Sequence, residues 1–183
     1  ASRGEAVFFL DDDARVPPGF FARLEQKLRE YPAADALGGP NLTPPESGPF
    51  ARVAGALLSS RFGAGRMSRR YRGFPRDAWT DDSSLMLCNL ALRRRAVAAG
   101  AAFDEGLSRN EENLLLARLA GRGGRALHSP DLFVWHERRA SPGAFLRQCF
   151  ASGVGRGQMT RLAPGTLRPV HVAPLAALYA RRN

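Results

Sequence analysis

The chain has 183 residues, 44% of them apolar, which is enough for one domain with a real core. Its formal charge is +10, from 27 basic and 17 acidic residues, and every basic residue but Lys27 is arginine, so the field favours phosphate-bearing partners of any kind. No apolar run reaches the eighteen or so residues that cross a bilayer, and Cys88 and Cys149 have neither metal-type spacing nor a disulfide framework, which points to a reducing compartment.

Ala6-Val7-Phe8-Phe9-Leu10 is an unbroken apolar run that stops at Asp11-Asp12-Asp13. Such a run reads as a strand covered on both faces, as in a parallel sheet. Pro17 and Pro18 then open a helix whose stripe is Phe20, Leu24, Leu28 and Tyr31, and Pro32 closes it. Gly38 to Pro49 reads as an extended loop, and Phe50 to Ser60 as a short apolar helix. Arg61 to Asp82 is basic and glycine-punctuated, the pattern of a mobile loop. Ser84 to Cys88 reads as a second buried strand leading to Asn89.

Asn110 is placed to cap a helix that has Glu111 and Glu112 in its first turn, Leu114, Leu115 and Leu119 on its apolar face, and Gly121 at its end. Leu132-Phe133-Val134-Trp135 is a further short strand, and Ser141-Pro142 starts a helix with the i, i+4 pairs Phe145/Cys149 and Leu146/Phe150. The apolar stretch from Pro169 to Tyr179 is broken by Pro174. The fold class is therefore α/β. The first strand begins almost at the first residue and few strand candidates follow it, so the sheet is expected to lack strands that a preceding segment would supply.

Three adjacent carboxylates raise one another's pKa, and a divalent cation removes that penalty; oxygen-rich sites suit Mg²⁺ or Mn²⁺. An isolated triplet reads equally well as a solvated turn, and the buried strand before it tips the balance toward a metal, because ligands of open α/β sheets sit beyond the strands' carboxyl ends. From spacing alone Glu111 and Glu112 complement a helix dipole, worth roughly 0.3–1 kcal/mol each. His136 is either a cation ligand or a structural histidine beside Trp135. Arg147 and Arg156 either bind a diphosphate or lipid phosphate or form a solvated cationic face. His128 and His171 carry no assigned role.

Taken in order, these segments resemble family 2 glycosyltransferases of the GT-A fold, of the succinoglycan-synthesis type. Phe9-Leu10-Asp11-Asp12-Asp13 with Val16-Pro17-Pro18-Gly19-Phe20 resembles the DxD segment, with Asp12 at the variable position. Leu87-Cys88-Asn89 through Arg93-Arg94 is similar to the acceptor-side segment, in which an Asn precedes a short strand ending in basic residues. Phe103-Asp104-Glu105, then Arg109-Asn110-Glu111-Glu112-Asn113-Leu114, resemble the FDE element and the block that carries the catalytic base. Val134-Trp135-His136 and Phe145-Leu146-Arg147-Gln148 with Gly153, Gly155 and Arg156 resemble the family's following strand and closing helix.

The resemblance implies a partial GT-A, Rossmann-like mixed sheet flanked by helices over residues 1–160, and a membrane-proximal tail over 161–183. It implies inverting transfer of a sugar from a nucleotide-sugar donor to a saccharide or lipid-linked acceptor, as in polysaccharide biosynthesis, with Mg²⁺ or Mn²⁺. Asp11, Asp13 and His136 would be the metal ligands. Asp11, Asp13 and Arg156 would face the donor, and Glu112 would be the base. The chain departs from the family by having Glu112 where an Asp is usual and by lacking the N-terminal nucleotide-binding portion. A catalytically silent binding module is the rival expectation. The resemblance also implies a cytoplasmic location at the inner face of the plasma membrane. Nucleic acid is not an expected partner, since aromatics are not interleaved with the basic clusters.

Overall fold

The computed structural model describes residues 3–99, 102–107 and 109–167. The chain is α/β: a mixed five-stranded sheet flanked by helices, a partial Rossmann-like arrangement, with a second, three-stranded sheet at one end.

Strand β1 (Ala6–Leu10) leads through a tight turn, closed by Ala14 N–H donating to Asp11 O at 3.1 Å, into β2 (Ala14–Arg15). Helix α1 (Phe20–Glu30) follows Gly19, whose φ of 73° lets the chain turn from Pro17-Pro18 into the helix. Next come β3 (Ala36–Gly38) and β4 (Asn41–Leu42), then helix α2 (Pro49–Ser59). The predicted loop from Gly38 to Pro49 therefore holds the end of one strand and all of another.

The segment from Arg61 to Asp82 differs more from expectation. It forms helix α3 (Arg61–Ala64), a 3-10 turn (Gly65–Ser68), helix α4 (Arg69–Arg72) and strand β5 (Ala78–Thr80). Buried Arg70 anchors it, donating to the carbonyls of Asp82 (2.7 Å) and Ser83 (2.9 Å). Ser84 to Cys88 is turn rather than strand, and strand β6 starts one residue later (Asn89–Arg93). All five of its residues are buried, Leu90 and Leu92 toward one core layer and Ala91 toward the other.

Helix α5 (Arg94–Ala98) and helix α6 (Glu111–Gly121) follow, then β7 (Ala126–His128) and β8 (Val134–His136), separated by a 3-10 turn over Pro130–Leu132. Helix α7 (Pro142–Leu162) starts as predicted, with Ser141 Oγ accepting from the Ala144 N–H at 3.4 Å. It runs continuously across the expected boundary at residue 160. The apolar stretch after Pro169 lies outside the described residues. Among the described residues no helix is long and apolar enough to cross a membrane. Leu146, Phe150 and Val154 nevertheless form an exposed stripe at four-residue spacing on α7.

The large sheet runs β1-β6-β3-β7-β5, with β3 and β7 parallel and the other pairs antiparallel. Here the expectation of a parallel, doubly covered β1 is corrected. The strand is real but half-buried, pairs only with β6, antiparallel, and forms one edge of the sheet among the described residues. The run reads as apolar throughout because alternate side chains serve opposite faces. Phe8 meets Phe20 on the α1 side (centroids 5.0 Å apart), and Phe9 meets Phe103 on the α6 side (5.4 Å).

The same alternation builds both core layers. Leu90, Leu92, Ala36 and Ala126 pack against Leu115, Leu116 and Leu119 of α6, whereas Ala91, Leu37 and Leu127 pack against Phe20 and Leu24 of α1. Each such fully buried Leu or Phe contributes roughly 1.5–3 kcal/mol. A third cluster, Leu107, Leu114 and Met159, seats α7 on α6.

Candidate functional site

The small sheet decides what lies near the aspartates. β2 pairs antiparallel with β8 and puts Ala14 opposite His136, and β4 runs parallel to β8 on its other side. The Glu137 N–H donates to the Asp13 carbonyl at 3.1 Å, which locks the register beside the acidic turn. His136 Nε2 consequently stands 3.0 Å from Asp13 Oδ1. With Nε2 carrying the proton toward Asp13, Nδ1 accepts, and both Cys88 Sγ (3.6 Å) and Arg138 Nη1 (3.4 Å) approach it. Burial first, and then the charge of Arg138, hold the His136 pKa below its ordinary value, so the imidazole is neutral, the form that binds metals.

Asp11 sits at the end of β1. Its carboxyl is pushed up, first by burial and then by Asp13, Asp12 and Glu111, against the opposing pull of His136. Oxygen, sulfur and nitrogen atoms of Asp11, Cys88 and His136 all lie within 4.8 Å of one another. Those three donors are a carboxylate, a thiol and an imidazole, and Asp13 adjoins them through the Nε2 side of the imidazole. A carboxylate suits Mg²⁺ or Mn²⁺, and the imidazole and thiol shift the preference toward Mn²⁺ and softer ions. The residues present thus fit a divalent cation. Cys88 had no assigned role in the sequence, because its partners Asn41 and His136 lie 47 and 48 positions away.

Glu112 enters the same cavity from α6. This cavity measures about 520 Å³, and its walls include Asp11, Asp13, Cys88, Glu112, His136 and Arg138. Glu112 is only 8% exposed, and Arg70 Nη1 is its counter-ion at 3.7 Å. Burial pushes its carboxyl above the ordinary value even though Arg70 opposes the shift. A helix N-terminus favours the ionised form, and desolvation outweighs that effect. The outcome is a carboxylate that takes up a proton more readily than an ordinary glutamate.

The entry to α6 is unusual. Asn110 has φ 64°, the left-handed region, and its side chain does not cap the helix as predicted. Its Nδ2 donates instead to the Ser152 carbonyl of α7 at 3.3 Å. Gly155 makes this approach possible, since a Cβ there would come within 2.7 Å of Asn110 Nδ2 and 2.8 Å of Arg109 Cβ. Arg70 is held by Asn113 Oδ1 (2.9 Å) as well as by its two carbonyls, so the counter-ion is fixed before any ligand arrives.

Of the residues singled out in the sequence, Asp11, Asp13, Glu112 and His136 share the cavity, and Glu111 lines it. Arg156 does not line it. Its Nη1 donates to Met159 Sδ at 3.1 Å, and its charge still pulls the Glu112 pKa down. Arg138, which carried no sequence signal, is a wall of the site. It donates to the Asn41 carbonyl and to Thr43 Oγ1 (3.2 Å), and it lies over the Tyr71 ring, 4.9 Å from the centroid.

Compared with protein-family models and with curated proteins, the chain gave no match.

Proposed function

We propose that this chain is the metal- and acceptor-side portion of an inverting sugar-transfer enzyme, using a nucleotide-sugar donor and a saccharide or lipid-linked acceptor. One observation carries the reading. Two carboxylates and a neutral imidazole share one cavity with a third, buried carboxylate of raised pKa, although they come from sequence positions about a hundred residues apart.

In this reading Asp11, Asp13 and His136 hold Mn²⁺ or Mg²⁺. When bound, such a cation offsets negative charge on a departing diphosphate. Glu112 accepts the proton of the acceptor hydroxyl as that oxygen attacks the anomeric carbon from the face opposite the leaving group. Arg70 keeps Glu112 oriented and tempers the desolvation that would otherwise leave it protonated. Arg138, beside the imidazole, adds positive charge at the wall where a diphosphate would lie.

The test is calorimetric titration of the chain with UDP- and GDP-sugars, with and without Mn²⁺. Cation-dependent binding that Asp13→Asn weakens supports the reading. A cation-independent heat, or none with either sugar nucleotide, favours a catalytically silent binding module instead. In a sugar-transfer assay, Glu112→Gln with undiminished turnover would remove Glu112 as the base.

A further inference from the structure

A second cavity, of about 580 Å³, lies beside β5 at the sheet edge opposite β1. Four arginines line it: Arg61, Arg66, Arg69 and Arg72. Helix α4 explains how neighbouring residues serve two different cavities. Arg69 and Arg72, three apart, share a face toward this one, while Arg70 between them turns to Glu112.

Arg69 and Arg72 are positioned by neutral groups and are not neutralised. Arg69 Nη1 donates to the Gly73 carbonyl at 3.2 Å and its guanidinium lies 4.6 Å from the Phe74 centroid. Arg72 Nε donates to Ser68 Oγ at 3.4 Å. Among the described residues, neither these two nor Arg61 has an acidic partner at ion-pair distance. The acidic residue of the lining, Asp81, stands 3.7 Å from Arg66 and accepts from the Ser83 N–H at 2.9 Å. Burial lowers the Arg69 pKa, and the charges of Arg72 and Arg61 add to that effect, the mark of like charges held close together.

We propose that this cavity is a binding site for a phosphate or diphosphate group, distinct from the carboxylate cavity. Guanidinium forks match phosphate oxygens in pairs, and three uncompensated cations call for a multiply charged anion rather than a single carboxylate. The buried Ser84, whose hydroxyl touches that of Ser83 at 3.5 Å, gives the cavity wall a neutral hydrogen-bonding group. This inference does not depend on the sugar-transfer reading.

The experiment is titration of the chain with inorganic pyrophosphate in EDTA, where no cation can bridge pyrophosphate to Asp11 or Asp13. Saturable binding is expected, weakened on the order of tenfold or more in the exposed double variant Arg61→Gln/Arg72→Gln, with a similar loss in Arg69→Gln. Arg52→Gln, an exposed arginine of α2 outside both cavities, should leave it unchanged. Two results would overturn the proposal: no metal-free binding at low ionic strength, or an equal loss in Arg52→Gln, which would mean diffuse surface charge. Vesicles of phosphatidylcholine carrying phosphatidic acid form the second arm. If they displace pyrophosphate, the natural anion is a lipid headgroup; if they do not, it is a soluble phosphate.

Discussion

Arg70 and Glu112 form a buried ion pair at 3.7 Å, joining a helix once read as mobile loop to the first turn of α6. Removing one partner of such a pair strands the other, at about 3–5 kcal/mol. Arg70 also satisfies two backbone carbonyls and Asn113, whereas Glu112 has Arg70 as its ion-pair partner. Arg70→Gln is therefore expected to cost more stability than Glu112→Gln in urea unfolding at neutral pH. The reverse order would mean that the guanidinium is a passive neighbour.

The pH dependence of the same pair has a definite sign. Glu112 has a folded pKa raised above 4.5, so the stability it contributes is complete below that pH and is lost as pH rises through the raised value. The stability difference between Glu112→Gln and the wild type should move in favour of the variant as pH climbs from about 4.5. A pH-independent difference would contradict this.

The proposed cation site makes a prediction independent of turnover. Asp13→Asn and His136→Ala should each weaken Mn²⁺ binding on the order of 10–100-fold, read by calorimetry. Far-ultraviolet circular dichroism should stay at the wild-type level, because the β2–β8 pairing uses backbone groups. Wild-type Mn²⁺ affinity in both variants would remove these residues as ligands.

His128 gives an acid-side test. It is fully buried against Phe74, and burial holds its pKa at about 4 against an ordinary 6.5. A histidine with a depressed folded pKa contributes stability above 6.5 that is lost as pH falls toward 4. That loss amounts to about 3 kcal/mol. Denaturant unfolding between these limits should show the loss in the wild type and much less of it in His128→Leu.

The two thiols should behave differently. Cys149 is exposed; Cys88 is buried and its thiol is pushed up by burial first and then by Asp11. A disulfide-exchange reagent at neutral pH should consume one thiol per native chain quickly and the second only on unfolding. Rapid reaction of both would mean that the cavity around His136 opens more freely than the packing suggests.

The sequence was most legible where a single period governs. The stripe Phe20, Leu24, Leu28 of α1, the Ser141 start of α7 and the strand before the aspartates could all be read from spacing. It was least legible where distant groups decide. Nothing local to Arg61–Asp82 announces that Arg70 will find Asn113, 43 residues on, and become an anchor. Asn110 looked like an ordinary cap, yet its backbone is left-handed because Gly155 lets α7 come close enough to take its side chain. The aspartates and His136 were legible as candidates, but the antiparallel pairing that brings them within 3.0 Å was not, because β2 is only two residues long.

That two-residue strand makes the site tolerant of some changes and intolerant of others. Since backbone pairing sets the distance from Asp13 to His136, exchanging side chains alters the chemistry without moving the partners. Inserting or deleting one residue between Asp11 and Arg15 would do the opposite. The pleat of β2 would swap faces, and Asp13 would be carried away from the histidine while the sheet still formed.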